Sequence, residues 1–223
     1  MNIYQPHLLR IEDVVEETAD TRTLRLSFID PAVAAGFDFK AGQFGEYSVF
    51  GAGECTFCIA SAPTRKGYIE CSFKSVGKVT QEMRRLEVGD TMGFRGPYGN
   101  YFPIDEMAGR DLVFIAGGIG LAPVRCVIWN ALDRRQEFGD ITIIYGARSV
   151  ADLVYKRELE EWRLRGDANV HLCVDPGGET PEWKHAVCFV PSLVEEVAPA
   201  PRNAYAIVCG PPIMINFTLP LLA

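Results

Sequence analysis

Apolar and polar positions change rhythm near the middle of this chain. In the first half they alternate in short runs. Thr23-Leu24-Arg25-Leu26-Ser27-Phe28 has period two and Tyr68-Ile69-Glu70-Cys71-Ser72-Phe73 is similar, the pattern of half-buried strands. Turn signals separate such runs, at Ala41-Gly42-Gln43, Gly51-Ala52-Gly53, Arg65-Lys66-Gly67, Val88-Gly89-Asp90 and Gly96-Pro97-Tyr98-Gly99. Short strands at this spacing predict a small antiparallel barrel, interrupted by a single helix over roughly Val79 to Leu86. From about residue 105 strands and helices alternate. Leu112-Val113-Phe114-Ile115-Ala116 is continuously apolar, as in a strand covered on both faces. The helix after it places Leu121, Val124, Ile128 and Leu132 on one face and turns Asp133, Arg134 and Glu137 away. Strands are predicted at Ile141–Tyr145, Asn169–Val174 and Tyr205–Cys209, with helices at Asp152–Leu164 and Pro191–Val197. Such alternation builds a parallel, doubly wound sheet. The expected fold class is two domains, an antiparallel β-barrel over residues 1–104 and an α/β domain over 105–223.

Composition narrows the partners. A chain of 223 residues buries about 70% of its unfolded surface. With 48% hydrophobic and 23% charged residues it is ordinary globular protein, which excludes disorder, collagen and coiled coil. Twenty-two basic against 29 acidic residues give a net charge of −7. No basic run interrupts that surface, so nucleic acid is not an expected partner. The seven cysteines, at 55, 58, 71, 126, 173, 188 and 209, are odd in number and irregularly spaced, which predicts reduced thiols. The opening MNIYQPHLLRIED has no signal-peptide pattern. Asn203 to Ala223 is uncharged and about long enough to span a bilayer. Asn203, Gly210-Pro211-Pro212, Asn216 and Pro220 interrupt it. It therefore reads as a buried strand and a helix, with no integral membrane segment, and the expected location is cytoplasmic.

Three segments carry candidate chemistry. Ile115-Ala116-Gly117-Gly118-Ile119-Gly120-Leu121-Ala122-Pro123 runs a buried strand through glycines into a helix. Glycines let a pyrophosphate approach the backbone, and the helix start offers it free N–H groups. The segment lacks the GxGxxG spacing, so a packing turn reads equally from these residues alone. Val208-Cys209-Gly210-Pro211-Pro212 ends the last strand, where open parallel sheets bind ligands; a buried structural thiol is the alternative. In the barrel, Thr56-Phe57-Cys58-Ile59-Ala60-Ser61 offers an aromatic and a small polar group on one strand, and Gly77-Lys78-Val79-Thr80 opens a helix. Cys55-x-x-Cys58 has the spacing of half a zinc site, but no second pair exists and no metal is expected. His7, His171 and His185 are scattered and read as solvated or core histidines.

Taken in order along the chain, these segments resemble the ferredoxin–NADP reductase superfamily. The resemblance implies a Greek-key flavin barrel followed by a pyridine-nucleotide domain. In that family an Arg-x-Tyr/Phe-Ser/Thr strand lies along the flavin, and Thr56, Phe57, Cys58 and Ile59 resemble its second half. The family's Gly-x-x-Ser/Thr element for the flavin diphosphate matches Gly77, Lys78, Val79 and Thr80, with Phe73, Lys74 and Val76 leading into it. Its nucleotide loop matches Gly117, Gly118, Ile119, Gly120, Leu121, Ala122 and Pro123. Tyr145, Gly146, Ala147 and Arg148 match the segment near the adenosine ribose, joined by Asp175. Its late Cys-Gly-Pro matches Cys209, Gly210 and Pro211, followed by Pro212. The implied cofactor is FAD and the implied substrate NADH or NADPH. Cys209 and Cys58 stand where the reactive ends of the nicotinamide and the flavin are expected.

Two departures stand out. Cys55 occupies the place of the family's arginine, which leaves FMN as an alternative and Lys78 or Arg84 as replacement cations. Cys58 replaces a hydroxyl residue, and a thiol is the weaker donor. The branch resembled most closely comprises electron-transfer subunits of multi-subunit oxidoreductases, whose partners are iron–sulfur or catalytic subunits. A [2Fe–2S] cluster is expected only in an extension or a partner, since no cysteine follows Cys209. A stand-alone NAD(P)H–flavin or ferredoxin reductase, and a non-catalytic nucleotide-binding module, are the alternative functions.

Overall fold

The computed structural model describes residues 4–197 and 203–222; Met1–Ile3 and Ala223, which the readings of the two chain ends include, lie outside the described residues. The chain divides into two compact units, residues 1–102 with 125–130, and residues 103–124 with 131–223.

The first unit is built from strands β1 (His7–Thr18), β2 (Thr21–Phe28), β3 (Phe44–Val49), β4 (Gly53–Cys58), β5 (Ile69–Lys74) and β6 (Thr91–Tyr98). They form one antiparallel sheet in the order β4-β3-β6-β1-β2-β5. The period-two pattern works as its chemistry demands. Leu24 and Leu26 of β2 point into a core with Leu9, Ile11, Tyr47, Phe73 and Phe94, while Arg25 between them pairs across the strands with Glu70. The edge strands β4 and β5 touch, and the chain leaving β4 bonds to β5 through Ala60 N–H and Glu70 O at 2.8 Å.

Three local expectations are corrected. The helix α2 (Lys78–Met83) is not the unit's only one, because α1 (Pro31–Gly36) precedes it. Asp30 caps α1 by accepting from Ala32 N–H, and Pro31 opens its first turn, an Asp-Pro start signal that lacks any apolar stripe to announce it. Gly96-Pro97-Tyr98 is not a turn but the end of β6, where the Gly96–Pro97 bond is cis. Strand β5 is buried from Ile69 to Phe73 instead of alternating.

The second unit alternates as expected: β7 (Asp111–Gly117), α3 (Leu121–Asp133), β8 (Ile141–Ala147), α4 (Lys156–Leu164), β9 (Asn169–Val174), β10 (Ala186–Val187), α5 (Val190–Val197), β11 (Ala204–Cys209) and α6 (Pro212–Thr218). The sheet is wholly parallel, in the order β10-β9-β8-β7-β11. Helix α3 was expected to bury one face, but every residue from Val124 to Leu132 is buried; residues 125–130 belong to the first unit. Helix α4 begins at Lys156, later than Asp152, because a short 3-10 turn and Tyr155 at φ 55° precede it. The segment after Asn203 is a strand followed by a helix as expected, but the strand is not buried. Strand β11 is a sheet edge on which only Ile207 is buried, and α6 exposes Ile213 and Phe217. Among the described residues, no helix is long and apolar enough to cross a membrane.

Candidate functional site

The strand order fixes where the second unit can bind a ligand. From β7 the chain goes to β8, β9 and β10 on one side, then returns to place β11 on the other. That reversal is a topological switch point beyond the carboxyl ends of β7 and β11, the place where open parallel sheets take ligands. Gly117, Gly118, Ile119 and Gly120 leave β7 there, and Cys209, Gly210, Pro211 and Pro212 leave β11, with Cys209 opposite Ala116 in the ladder. The two chains are pressed together. A Cβ on Gly120 would lie 2.6 Å from Cys209 O, and one on Gly117 would lie 2.6 Å from the Met214 sulfur. Gly118 differs, since it has φ +55° and open space where a side chain would begin. The loop therefore needs Gly117 and Gly120 for packing and leaves Gly118 as the point of approach. Its amides precede a 13-residue helix, whose positive end favours an anion.

The remaining residues of the second unit divide by exposure. Leu121, Ala122, Tyr145, Gly146 and Ala147 are enclosed, and the Tyr145 hydroxyl accepts from Val154 N–H at 3.1 Å. What they offer a ligand is backbone and shape. Arg148 and Asp175 are brought together past the ends of β8 and β9, where Asp175 N–H bonds Ala147 O at 3.1 Å. Partial burial raises the Asp175 carboxyl and nearby Arg148 opposes that shift. Arg148 is exposed, 3.6 Å from Asp152. Pro123 is half-buried, and burial pushes the Cys209 thiol up, which keeps it neutral. A neutral thiol suits a contact role better than that of a nucleophile.

In the first unit β4 pairs only with β3, so one side of its backbone is not used by the ladder. Thr56 is exposed and its hydroxyl donates to Glu46 at 2.8 Å; Phe57 and Cys58 are half-buried, and Ile59 is enclosed. Phe73 is fully buried, with its ring 6.0 Å from that of Phe57. The amides of Val76 and Gly77 donate to the Thr80 hydroxyl at 3.0 and 2.9 Å, so that hydroxyl is occupied in shaping the turn. Lys78 and Val79 stand in the first turn of α2, where amides lack intrahelical acceptors.

The replacement cations are separated by position. Arg84 lies at the far end of α2, bound to Glu16 at 2.9 Å, and Lys74 is held by Asp20 at 3.0 Å. Lys78 is exposed and forms no ion pair among the described residues. Cys55 is half-buried, with its thiol pushed up by burial and by Glu46. Among the described residues no three His, Cys, Asp or Glu side chains converge to hold a metal.

Two groups escaped the reading of the sequence. Met214 packs beneath Gly117 and Gly210, with nothing local to reveal it. Arg125 forms a buried ion pair with Glu70. Its signal was present, because Arg125 is the sole charge between Asp111 and Asp133.

Residues 8–102 match the oxidoreductase FAD-binding domain and residues 114–219 the oxidoreductase NAD-binding domain. The chain belongs to the ferredoxin–NADP reductase superfamily of FAD- and NAD-binding oxidoreductases. It is 37% identical to the sulfhydrogenase 1 gamma subunit of Pyrococcus furiosus, over 96% of this chain and 73% of that protein. It is 31% identical to a probable dihydroorotate dehydrogenase B electron transfer subunit of Methanocaldococcus jannaschii, over 95% of this chain and 71% of that one. Among solved structures, an Amycolatopsis cytochrome P450 reductase superposes with TM-score 0.80 at 25% identity, covering 97% of this chain and 65% of that one. The residues present fit both cofactors. Gly77 and Gly118 open onto free space, each beside helix-start amides, and Lys78 supplies an uncommitted cation.

Proposed function

We propose that this chain is the FAD-containing electron-transfer subunit of a multi-subunit oxidoreductase. It exchanges hydride with NADH or NADPH and passes electrons to an iron–sulfur or catalytic partner subunit in the cytoplasm. The observation that carries the reading is the switch point at the sheet reversal, where Gly118 lies open beside the end of β11. The division of labour falls near residue 104, with flavin before it and nucleotide after it. Phe57, Cys58 and Ile59 line the flavin from the sheet-edge strand β4. The turn from Val76 to Thr80 and the Lys78 cation hold the diphosphate.

Gly117 to Pro123 hold the nucleotide pyrophosphate, and Cys209 to Pro212 border its nicotinamide end. Arg148 and Asp175 face the ribose. A cation there favours NADPH and a carboxylate favours NADH, so their closeness leaves both nucleotides open. When bound, flavin accepts two electrons as hydride and releases them singly, which suits an iron–sulfur acceptor. A subunit role is supported by the likeness to the sulfhydrogenase gamma and dihydroorotate dehydrogenase electron transfer subunits.

The test is the visible spectrum of the purified protein under anaerobic conditions, before and after NADH and, separately, NADPH. A flavin band that bleaches quickly is the expected result and identifies the nucleotide. No flavin band after reconstitution with FAD or FMN would sink the proposal. Native mass of the protein purified from its own host then decides between subunit and stand-alone reductase, with co-purifying chains expected.

A further inference from the structure

Glu70 sits in the all-buried strand β5, where a lone carboxylate would be strongly disfavoured. Two guanidinium groups meet it. Arg25, its cross-strand partner, donates from Nε to Glu70 Oε1 at 3.0 Å. Arg125 Nη1 lies 2.6 Å from Glu70 Oε2, and both of these side chains are almost fully enclosed. The same Arg125 nitrogen donates to Ala60 O at 2.9 Å. Glu70 also holds that stretch through its backbone, accepting from Ala60 N–H at 2.8 Å and donating to Ser61 Oγ at 3.1 Å. Ala60 and Ser61 directly follow Cys58 and Ile59, and Ile59 N–H is fixed by Gln43 O at 3.0 Å.

Stability alone does not account for such an arrangement. Buried ion pairs replaced by apolar groups of similar volume are often neutral or stabilising, whereas the directed bond from Arg125 to Ala60 O, with the guanidinium held beside Glu70, fixes geometry. We propose that the Arg125–Glu70 pair is a positioning device for the flavin strand: it pins Ala60 and Ser61, and through them sets the placement of Cys58 and Ile59 against the flavin ring. The inference rests on the reading of β4 as the flavin-lining strand. Arg125 and Glu70 are positioning residues here, since they act through Ala60 and Ser61.

The experiment uses the full FAD-loaded chain as wild type, Arg125→Lys, and the double variant Glu70→Gln with Arg125→Met. The lysine keeps a cation, but its flexible stem lacks the rigid planar guanidinium that aims one nitrogen between Ala60 O and Glu70. The double variant removes the enclosed pair together and leaves only Arg25, whose side chain is 45% exposed, so no enclosed charge is orphaned. Stopped-flow reduction is followed with whichever nucleotide reduces the wild type, together with the flavin absorption bands. Both variants are expected to shift the bands and to lower the limiting reduction rate about tenfold, as displaced reacting groups do. Half-saturating nucleotide should change by less than about twofold, because uniform binding is untouched. Folded, FAD-loaded variants with wild-type bands and wild-type limiting rate would overturn the positioning role while leaving the flavin reading intact. A wild-type chain that takes up no flavin would overturn both.

Discussion

The two regions proposed to bind cofactors are built by different means. In the second unit the proposed site is mostly backbone. Gly117 and Gly120 are glycine because Met214 and Cys209 occupy the space of any side chain, and the sheet reversal decides where a ligand can lie. In the first unit the proposed site depends more on side chains. They project from an edge strand where Cys55 and Cys58 stand in place of the cation and hydroxyl of related proteins, and the surrounding sheet is intact. A site made of backbone cannot be altered without disturbing its fold. A site made of projecting side chains can be altered with little structural cost.

That contrast can be broken in four places. The largest effect is expected for Gly120→Ala, whose new methyl would lie 2.6 Å from a backbone oxygen. Overpacking of that kind costs about 1–3 kcal/mol, and displacing the loop should cut nucleotide-driven flavin reduction about a hundredfold. Thermal unfolding and stopped-flow absorbance check both halves, and an enzyme of normal speed would show that the loop yields. Next is Cys209→Ala, expected to slow reduction about tenfold or more while nucleotide affinity changes little; unchanged kinetics would remove Cys209 from the reacting end.

On the side-chain half, Cys55→Arg restores a cation on β4. It should tighten flavin binding about tenfold, the scale of one charge-assisted hydrogen bond, as read by flavin titration of the apoprotein. Unfolding temperature should stay put. The smallest effect is Cys58→Ser, where a stronger donor should raise the limiting reduction rate by about two- to fivefold. A large loss of stability in either cysteine variant would erase the distinction between the two regions.

How much could be read in advance follows the same division. Period-two runs such as Thr23–Phe28, and the apolar run from Leu112 to Ala116, marked strands because burial on one or both faces writes itself into local order. Glycine-rich loops were visible for the same reason. What escaped depends on distant partners. The reason for Gly120 lies in Cys209, the enclosed partner of Glu70 is Arg125, and Arg84 differs from Lys78 in lying at the far end of α2, held by Glu16. Strand β11 looked buried because an uncharged segment predicts enclosure, yet its place at the sheet edge leaves Tyr205 exposed.

The outermost position of β4 has a consequence for biogenesis. A ligand that lies along the last strand of a sheet can arrive after folding is complete, since no ladder must be unzipped to admit it. With the flavin along β4 as proposed, the chain can mature in two stages, a polypeptide first and a pigment later.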